Sequence, residues 1–108
     1  MNAPVRLQLS RRRGFRLQYY SLSENGLSAV NCSRPGRWGN PYGTAAEFRS
    51  AFMDFSNCRT DAEFRAIAWM RYNIFTLRDR NLACWCPLPA PGEPDCCHAA
   101  VLLEIANR

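Results

Sequence analysis

The stretch Leu82-Ala83-Cys84-Trp85-Cys86 carries the most information about the fold of this chain. It is apolar throughout and short, and it lies between the turn-forming residues Asp79-Arg80-Asn81 and Pro87. This pattern is typical of a central strand that is buried on both faces. Such a strand requires neighbouring strands on both sides and helices packed over the sheet.

Earlier segments supply the neighbouring strands. Val5 to Leu9 alternates apolar and polar residues, which predicts a short half-buried strand. Leu27 to Cys32 predicts a second strand, which follows the turn signal Glu24-Asn25-Gly26. Leu17 to Tyr20 is expected to form a further short extended piece.

Capping boxes and helical periodicity predict the helices. Thr44 to Glu47 and Thr60 to Glu63 each place a hydroxyl and a carboxylate at the start of a helix, and the helices are expected to end near Asn57 and Arg78. Asp95 or Cys96 is expected to cap a last helix. The buried faces of these helices are expected to carry Phe48, Ala51, Phe52 and Phe55; Phe64, Ile67, Met70, Ile74 and Leu77; and His98, Val101, Leu102 and Ile105.

The alternation of strands and helices predicts a small α/β fold. We expect one domain spanning residues 1–108, with an at least partly parallel sheet and about three helices, in the approximate order β-β-α-α-β-α. In such sheets, ligands bind at the carboxyl ends of the strands, beside helix N-termini.

Composition and charge narrow the functional classes. The chain has 108 residues and a net charge of +5, and its 14 basic residues are all arginine. A GC-rich genome would explain this choice of arginine, and so would selection for phosphate contacts. The charge favours anionic partners over a membrane, and no apolar run is long enough to span one. We expect a cytoplasmic location, where the six cysteines would mostly be reduced thiols, metal ligands or catalytic groups rather than a disulfide framework.

The loop Arg34-Pro35-Gly36-Arg37-Trp38-Gly39-Asn40-Pro41-Tyr42-Gly43 is a candidate ligand-binding segment. Arg34 and Arg37 could hold a phosphate, Trp38 could stack on a base, and Asn40 could read a polar edge of that base. Alternatively, Trp38 fills the core and Asn40 makes a turn. Arg11 and Arg12, in the segment Ser10 to Phe15, could form an anion-binding arm or a solvated turn.

A second candidate site consists of Cys84, Cys86, Cys97 and His98. Three thiols and an imidazole could form a tetrahedral zinc site, although the spacing differs from that of zinc fingers and ribbons. Alternatively, His98, Cys84 or Cys97 could be catalytic, as general acid/base or nucleophile. The cysteines could also be small buried core residues.

Three motifs together resemble a known family. They are Ser10-Arg11 with Gly14-Phe15, Arg34-Pro35 with Trp38-Gly39-Asn40-Pro41, and Leu82 to Cys86 with Cys97-His98. In this order they are similar to the family called domain of unknown function 4326, which occurs in bacteria and their phages. The resemblance covers nearly the whole chain and implies candidate residues rather than an activity. Phe15 stands where the family pattern leads us to expect Trp, and the loop before Cys97 is longer and richer in proline.

The sequence leaves three functions open. The first is binding or processing of a nucleotide, nucleoside or nucleic-acid base in a cleft between the 34–43 loop and the Cys84/Cys86/His98 cluster. The second is a non-catalytic module for nucleic acid or protein, stabilised by zinc or without it. The third is a phage accessory protein that blocks a host factor, which would place it in the host cytoplasm. Substrate, reaction and oligomeric state do not follow from the sequence.

Overall fold

The computed structural model describes residues 3–108, and these form a three-stranded sheet with four α-helices. The strands are β1 (Arg6–Gln8), β2 (Ala29–Asn31) and β3 (Asn81–Cys84). The helices are α1 (Leu17–Asn25), α2 (Ala45–Met53), α3 (Asp61–Asn73) and α4 (His98–Ala106). Short 3₁₀ segments follow α2 at Phe55–Asn57 and α3 at Ile74–Leu77.

The sheet is parallel throughout, with β3 in the centre and the order β1-β3-β2. Leu7 pairs with Ala83, and Val30 pairs with Leu82. All four residues of β3 are buried, and successive side chains enter opposite layers because a strand has a period of two. Leu82 and Cys84 belong to the larger core, whereas Ala83 belongs to the smaller one. The predicted α/β class with a parallel sheet is therefore confirmed.

Helices cover both faces of the sheet. The larger core lies between the sheet and helices α2, α3 and α4, and Phe48, Met70 and Leu102 are fully buried there. The smaller core includes Leu7 and Ala83 and is covered by residues at the start of α1 and just before it. No helix within residues 3–108 has the length and apolar character needed to cross a membrane.

The hydroxyl half of each predicted capping box is present. The Thr44 hydroxyl accepts a hydrogen bond from the amide of Glu47, and the Thr60 hydroxyl accepts one from the amide of Glu63. These contacts satisfy amides that have no partner within the first turn of a helix. The starts of α2 and α3 could therefore be predicted from local chemistry alone.

Several boundaries differ from the sequence predictions. The segment 17–20, predicted to be extended, is the first turn of α1, which runs on to Asn25. Helix α3 ends at Asn73 rather than near Arg78, and the chain tightens into a 3₁₀ turn. Strand β3 stops at Cys84, so that Trp85 and Cys86 are exposed. Phe64, expected in the buried face of α3, is 46% exposed and contacts the ring of Phe55.

The amino edge of the sheet is closed by a buried asparagine. Asn81 is fully buried and accepts hydrogen bonds at Oδ1 from the amide of Val5 and from Nδ2 of Asn25. Its Nδ2 donates to the Ser21 hydroxyl and to Oδ1 of Asn25. This network joins β3 to α1 and to the chain before β1, and it satisfies the polar atoms of Asn81.

Candidate functional site

A cleft of about 270 Å³ opens at the carboxyl edge of the sheet. Three separate segments line it: the loop between β2 and α2, the residues at the end of β3, and the N-terminus of α4. Both groups of residues singled out from the sequence contribute to this one cleft. Its walls include Arg34, Asn40, Cys84, Cys86, Cys97 and His98.

Two successive turns shape the loop after β2. The amide of Gly36 donates to the carbonyl of Ser33, and the amide of Gly39 donates to the carbonyl of Gly36. A Cβ atom on Gly39 would lie 2.8 Å from Cγ and 2.9 Å from Cα of Arg34. Gly39 is therefore required because the backbone of Arg34 passes directly over it.

The aromatic and amide side chains of the loop serve mainly to hold it. Trp38 is 9% exposed, and its ring centroid lies 4.9 Å from that of Trp69 in the core. Base stacking by Trp38 therefore has no support in this structure, because the ring is not part of the cleft wall. Asn40 lines the cleft, but its Nδ2 donates to the carbonyl of Thr44 and its Oδ1 accepts from the amide of Tyr42. One Nδ2 hydrogen and one Oδ1 lone pair remain for a ligand.

The two arginines of the loop lie in different places. Arg34 lines the cleft, is exposed, and has no carboxylate partner among residues 3–108. Arg37 lies outside it, with its guanidinium 4.2 Å from the centroid of the Trp69 ring. Of the two predicted phosphate-binding residues in the loop, only Arg34 is positioned in the cleft.

Arg11 and Arg12 also lie outside the cleft. They line a separate, wider groove next to the end of β1. Trp85 belongs to the walls of both the cleft and this groove. The structure thus does not bring the arm together with Arg34, but a single side chain connects the two surfaces.

Cys84, Cys97 and His98 form a compact buried group at the floor of the cleft. One ligand atom from each residue lies within 4.8 Å of the other two, and this group could hold a metal ion. Cys97 Sγ is 3.9 Å from Nδ1 of His98. Cys86 is exposed and also lines the cleft, and its Sγ lies 4.0 Å from Sγ of Cys84.

The orientation of His98 is set by the backbone. Its Nε2 lies 2.8 Å from the carbonyl oxygen of Cys32 and 2.9 Å from that of Trp38. Carbonyl oxygens only accept hydrogen bonds, so Nε2 carries the ring hydrogen and donates to both. The neutral ring then presents the lone pair of Nδ1 to Cys97. This arrangement, with one nitrogen fixed by a backbone carbonyl and the other free to bind, is common among metal-ligating histidines.

Burial disfavours the charged forms of His98 and Cys97. It lowers the pKa of His98, and the positive charges of Arg34 and Arg6 act in the same direction, although the two carbonyl acceptors oppose them. Burial also raises the pKa of the Cys97 thiol, and the neighbouring thiols of Cys86 and Cys84 add to this effect. In the absence of a cation, these residues are a neutral imidazole and a protonated thiol.

A buried ion pair that we did not predict supports the loop before α4. Nε of Arg6 lies 2.6 Å from Oδ2 of Asp95, and the arginine also donates to the carbonyls of Cys86 and Pro87. Oδ1 of Asp95 accepts from the amide of Cys97. The pair thus connects β1 to both segments that carry the thiols. Its members are 89 residues apart, so no local pattern could have revealed it.

A family comparison agrees with the second and third of the three motifs. The family model described as Domain of unknown function (DUF4326) matches residues 16–108. The match includes the loop with Arg34 and Asn40 and the whole Cys/His cluster, but it begins after the segment with Arg11 and Arg12. No curated protein and no solved structure matches the chain.

Proposed function

Since the chain belongs to the DUF4326 family, whose description assigns no activity, we propose its function from the site itself. The protein binds a nucleotide-like anion in the cleft at the carboxyl edge of the sheet, beside a zinc ion held by the Cys/His cluster. One observation carries the proposal: a free arginine from one loop and a metal-ligating cluster from two other segments line the same cleft.

The electrostatics of the cleft favour an anion. Arg34 has no carboxylate partner among the described residues, and its guanidinium offers a fork of donors that fits a phosphate. The N-termini of α2 and α4 both reach the cleft wall, at Thr44 and His98. Helix N-termini add partial positive charge and attract anions. The loop, both helices and the arginine therefore act in the same direction.

The dimensions of the cleft suggest the size class of the ligand. Pockets for drug-sized ligands usually occupy about 300–1,000 Å³. At about 270 Å³, this cleft fits one nucleoside or nucleotide unit better than a dinucleotide cofactor. The free amide hydrogen and lone pair of Asn40 are suited to the polar edge of such a ligand.

The cluster fits zinc in its chemistry and nearly in its dimensions. Zinc–sulfur bonds of about 2.3 Å in a tetrahedron place two sulfurs about 3.8 Å apart. The Cys84–Cys86 sulfur distance is 4.0 Å. The Cys97 Sγ to His98 Nδ1 distance is 3.9 Å, against about 3.6 Å for a sulfur and a nitrogen on one tetrahedral zinc. We propose Cys84, Cys97 and His98 as the first three ligands and Cys86 as the fourth. Bound zinc would supply the positive charge that allows the thiols to lose their protons.

This assignment favours binding over nucleophilic catalysis. A thiol whose pKa is raised by burial is a poor nucleophile, and the Nε2 hydrogen of His98 is already donated to the backbone. Catalysis by His98, Cys84 or Cys97 stays a prediction from the sequence. The binding role requires only groups that already line the cleft.

Thermal unfolding with a panel of nucleoside monophosphates, nucleosides and inorganic phosphate tests the anion site. A ligand at about ten times its Kd stabilises by about 1.4 kcal/mol, which raises Tm by about 5 °C in a chain of this size. Arg34→Gln should remove most of this shift. Arg37→Gln is the matched control, because it makes the same charge change in the same loop outside the cleft. Equal shifts in both variants, or none in the wild type, would disprove the proposal.

Metal analysis of protein purified without added zinc tests the proposed zinc site. We expect about one zinc per chain, and less than about 0.2 per chain for Cys97→Ser. Cys96→Ser is the control, since Cys96 is exposed and adjacent but outside the buried group. Wild-type protein with less than about 0.2 zinc per chain after reconstitution would exclude the zinc assignment, and would leave the anion proposal standing.

A further inference from the structure

A second surface extends the cleft along the same edge of the sheet. It is a groove of about 630 Å³ that begins where β1 ends, and we call it the arginine groove. Its lining includes Arg11, Arg12, Trp85 and Leu88. Trp85 is also part of the cleft wall, so a ligand that fills both surfaces would pass over this ring.

The charge of the groove is not neutralised by the protein. Arg11 and Arg12 are exposed, and neither has an ion-pair partner among residues 3–108. By contrast, Arg6, Arg49 and Arg59 each pair with a carboxylate. The groove therefore presents two guanidinium groups that no carboxylate of the described residues neutralises.

The arm that carries these arginines is held in a defined turn. The amide of Arg12 donates to the Ser10 hydroxyl, and the amide of Phe15 donates to the carbonyl of Arg12. Gly14 has φ of 86°, a conformation that favours glycine, and it closes the turn. The ring of Phe15 packs against Tyr20 and ties the turn to α1. The two arginines are thus presented by an ordered loop rather than a mobile tail.

An aromatic ring completes the surface. Trp85 is 44% exposed, and the guanidinium of Arg11 lies 4.8 Å from the centroid of its ring. Leu88 beside it is 45% exposed. Free cations next to a partly exposed ring, along a groove, are the combination by which proteins bind single strands without reading their sequence. The face of an aromatic ring stacks on a nucleic-acid base, whereas an acidic peptide has no base to stack on it.

We propose that the arginine groove binds the sugar-phosphate backbone of a single-stranded polynucleotide, one nucleotide of which enters the cleft. This inference rests on the proposed function, and it names the substrate class as a strand rather than a free nucleotide. Arg11 and Arg12 bind successive phosphates, Trp85 stacks on the base between the two surfaces, and Arg34 binds the phosphate of the nucleotide in the cleft.

Fluorescence anisotropy with labelled DNA and RNA strands of about 12 nucleotides tests the inference. Trp85→Leu should raise Kd about tenfold, as expected for the loss of one stacked base, and Trp85→Phe should restore most of the affinity. Arg11→Gln and Arg12→Gln should each lower the slope of log Kd against log salt by about 0.7. Arg80→Gln, an exposed arginine before β3 at the opposite edge, should leave both values unchanged.

The outcomes separate this inference from the proposed function. One outcome is that mononucleotides raise Tm through Arg34 but strands bind no better than mononucleotides. The proposed strand site in the arginine groove would then be wrong, and the proposed anion site in the cleft would be supported. A second outcome is that strand binding depends on Arg11, Arg12 and Trp85 but not on Arg34. Strand binding in the groove would then be supported, and nucleotide binding in the cleft would be wrong. If poly-glutamate competes as well as a strand of equal charge and Trp85→Leu has no effect, the groove is a site for acidic protein and the inference is overturned.

Discussion

The two edges of the sheet have opposite chemistry, although only the four residues of β3 separate them. At the amino edge, Asn81 is buried and its polar atoms are bonded to neighbouring groups. At the carboxyl edge, Cys84, Cys97 and His98 are also buried, but their thiols and Nδ1 face one another beneath an open cleft. Buried polar groups with complete hydrogen bonding stabilise a fold, whereas buried ligand atoms gathered under an opening are suited to bind something.

The largest effect on stability is expected at the amino edge. Asn81→Ala should lower the free energy of unfolding by about 3 kcal/mol, because it removes a partner of the part-buried Val5 amide and of the buried Ser21 hydroxyl. Urea unfolding measures the change, and Asn57→Ala, an exposed residue with one bond to the carbonyl of Ser50, is the control. A loss below about 1 kcal/mol would show that the hydrogen-bond network around Asn81 does not stabilise the fold.

The second-largest loss of stability is expected from the Arg6–Asp95 ion pair, which lies behind the carboxyl edge of the sheet. Asp95→Ala should cost about 2 kcal/mol, because it leaves the buried guanidinium of Arg6 without its carboxylate; the partial exposure of Asp95 moderates the loss. The same change frees the amide of Cys97, so zinc content should fall together with stability. If stability falls while zinc content is unchanged, the pair supports the fold without positioning the cluster.

A smaller effect is expected in the loop. Gly39→Ala should lower the free energy of unfolding by about 1.5 kcal/mol, because the added Cβ would lie within 3.0 Å of Arg34 and of the carbonyl oxygen of Gly36. Ligand affinity should fall by more than this loss of folded protein explains, since Arg34 must move. The matched control for stability is Gly43→Ala, where a Cβ would have only an ordinary contact at 3.6 Å from Oε1 of Glu47. Gly43 lines the cleft, so this variant is not a control for ligand affinity.

The smallest effect on stability is expected from Arg34 itself. Arg34→Gln should change the free energy of unfolding by less than about 0.5 kcal/mol, because the side chain is exposed and has no ion-pair partner among residues 3–108. Its Kd for a mononucleotide should nevertheless rise about tenfold. Calorimetric titration and urea unfolding of the same preparation measure the two quantities. A stability loss as large as that of Asn81→Ala would place Arg34 with the structural residues.

The elements that could be predicted from the sequence are those with a strong local signal. The hydroxyl caps of α2 and α3 and the strand that contains Leu82 and Cys84 follow from short-range chemistry, and all are present. Helix α1 lacked such a signal, because Arg16 provides no side-chain cap and Ser21 is its one buried residue. The turn signal at Gly26 was real, but it marks the left-handed C-cap of that helix, with φ of 79°.

The candidate site was predictable in location more than in detail. A loop that leaves β2 and ends at α2 must lie at the carboxyl edge, and so must the residues after β3. That reasoning identified Arg34 and the Cys/His cluster. It could not show that the ring of Trp38 enters the core or that Arg37 stacks on Trp69, because both depend on a partner about 30 residues away in the chain.

The shared hydrogen bond of His98 has a thermodynamic consequence. The ring hydrogen joins the carbonyls of Cys32 and Trp38, which flank Arg34 in the loop. A cation on Nδ1 would polarise the ring and strengthen both bonds, and so would hold the loop in the form that presents the arginine. Coupling of this kind is reciprocal. Whatever factor zinc adds to the affinity for the anion, the anion must add to the affinity for zinc.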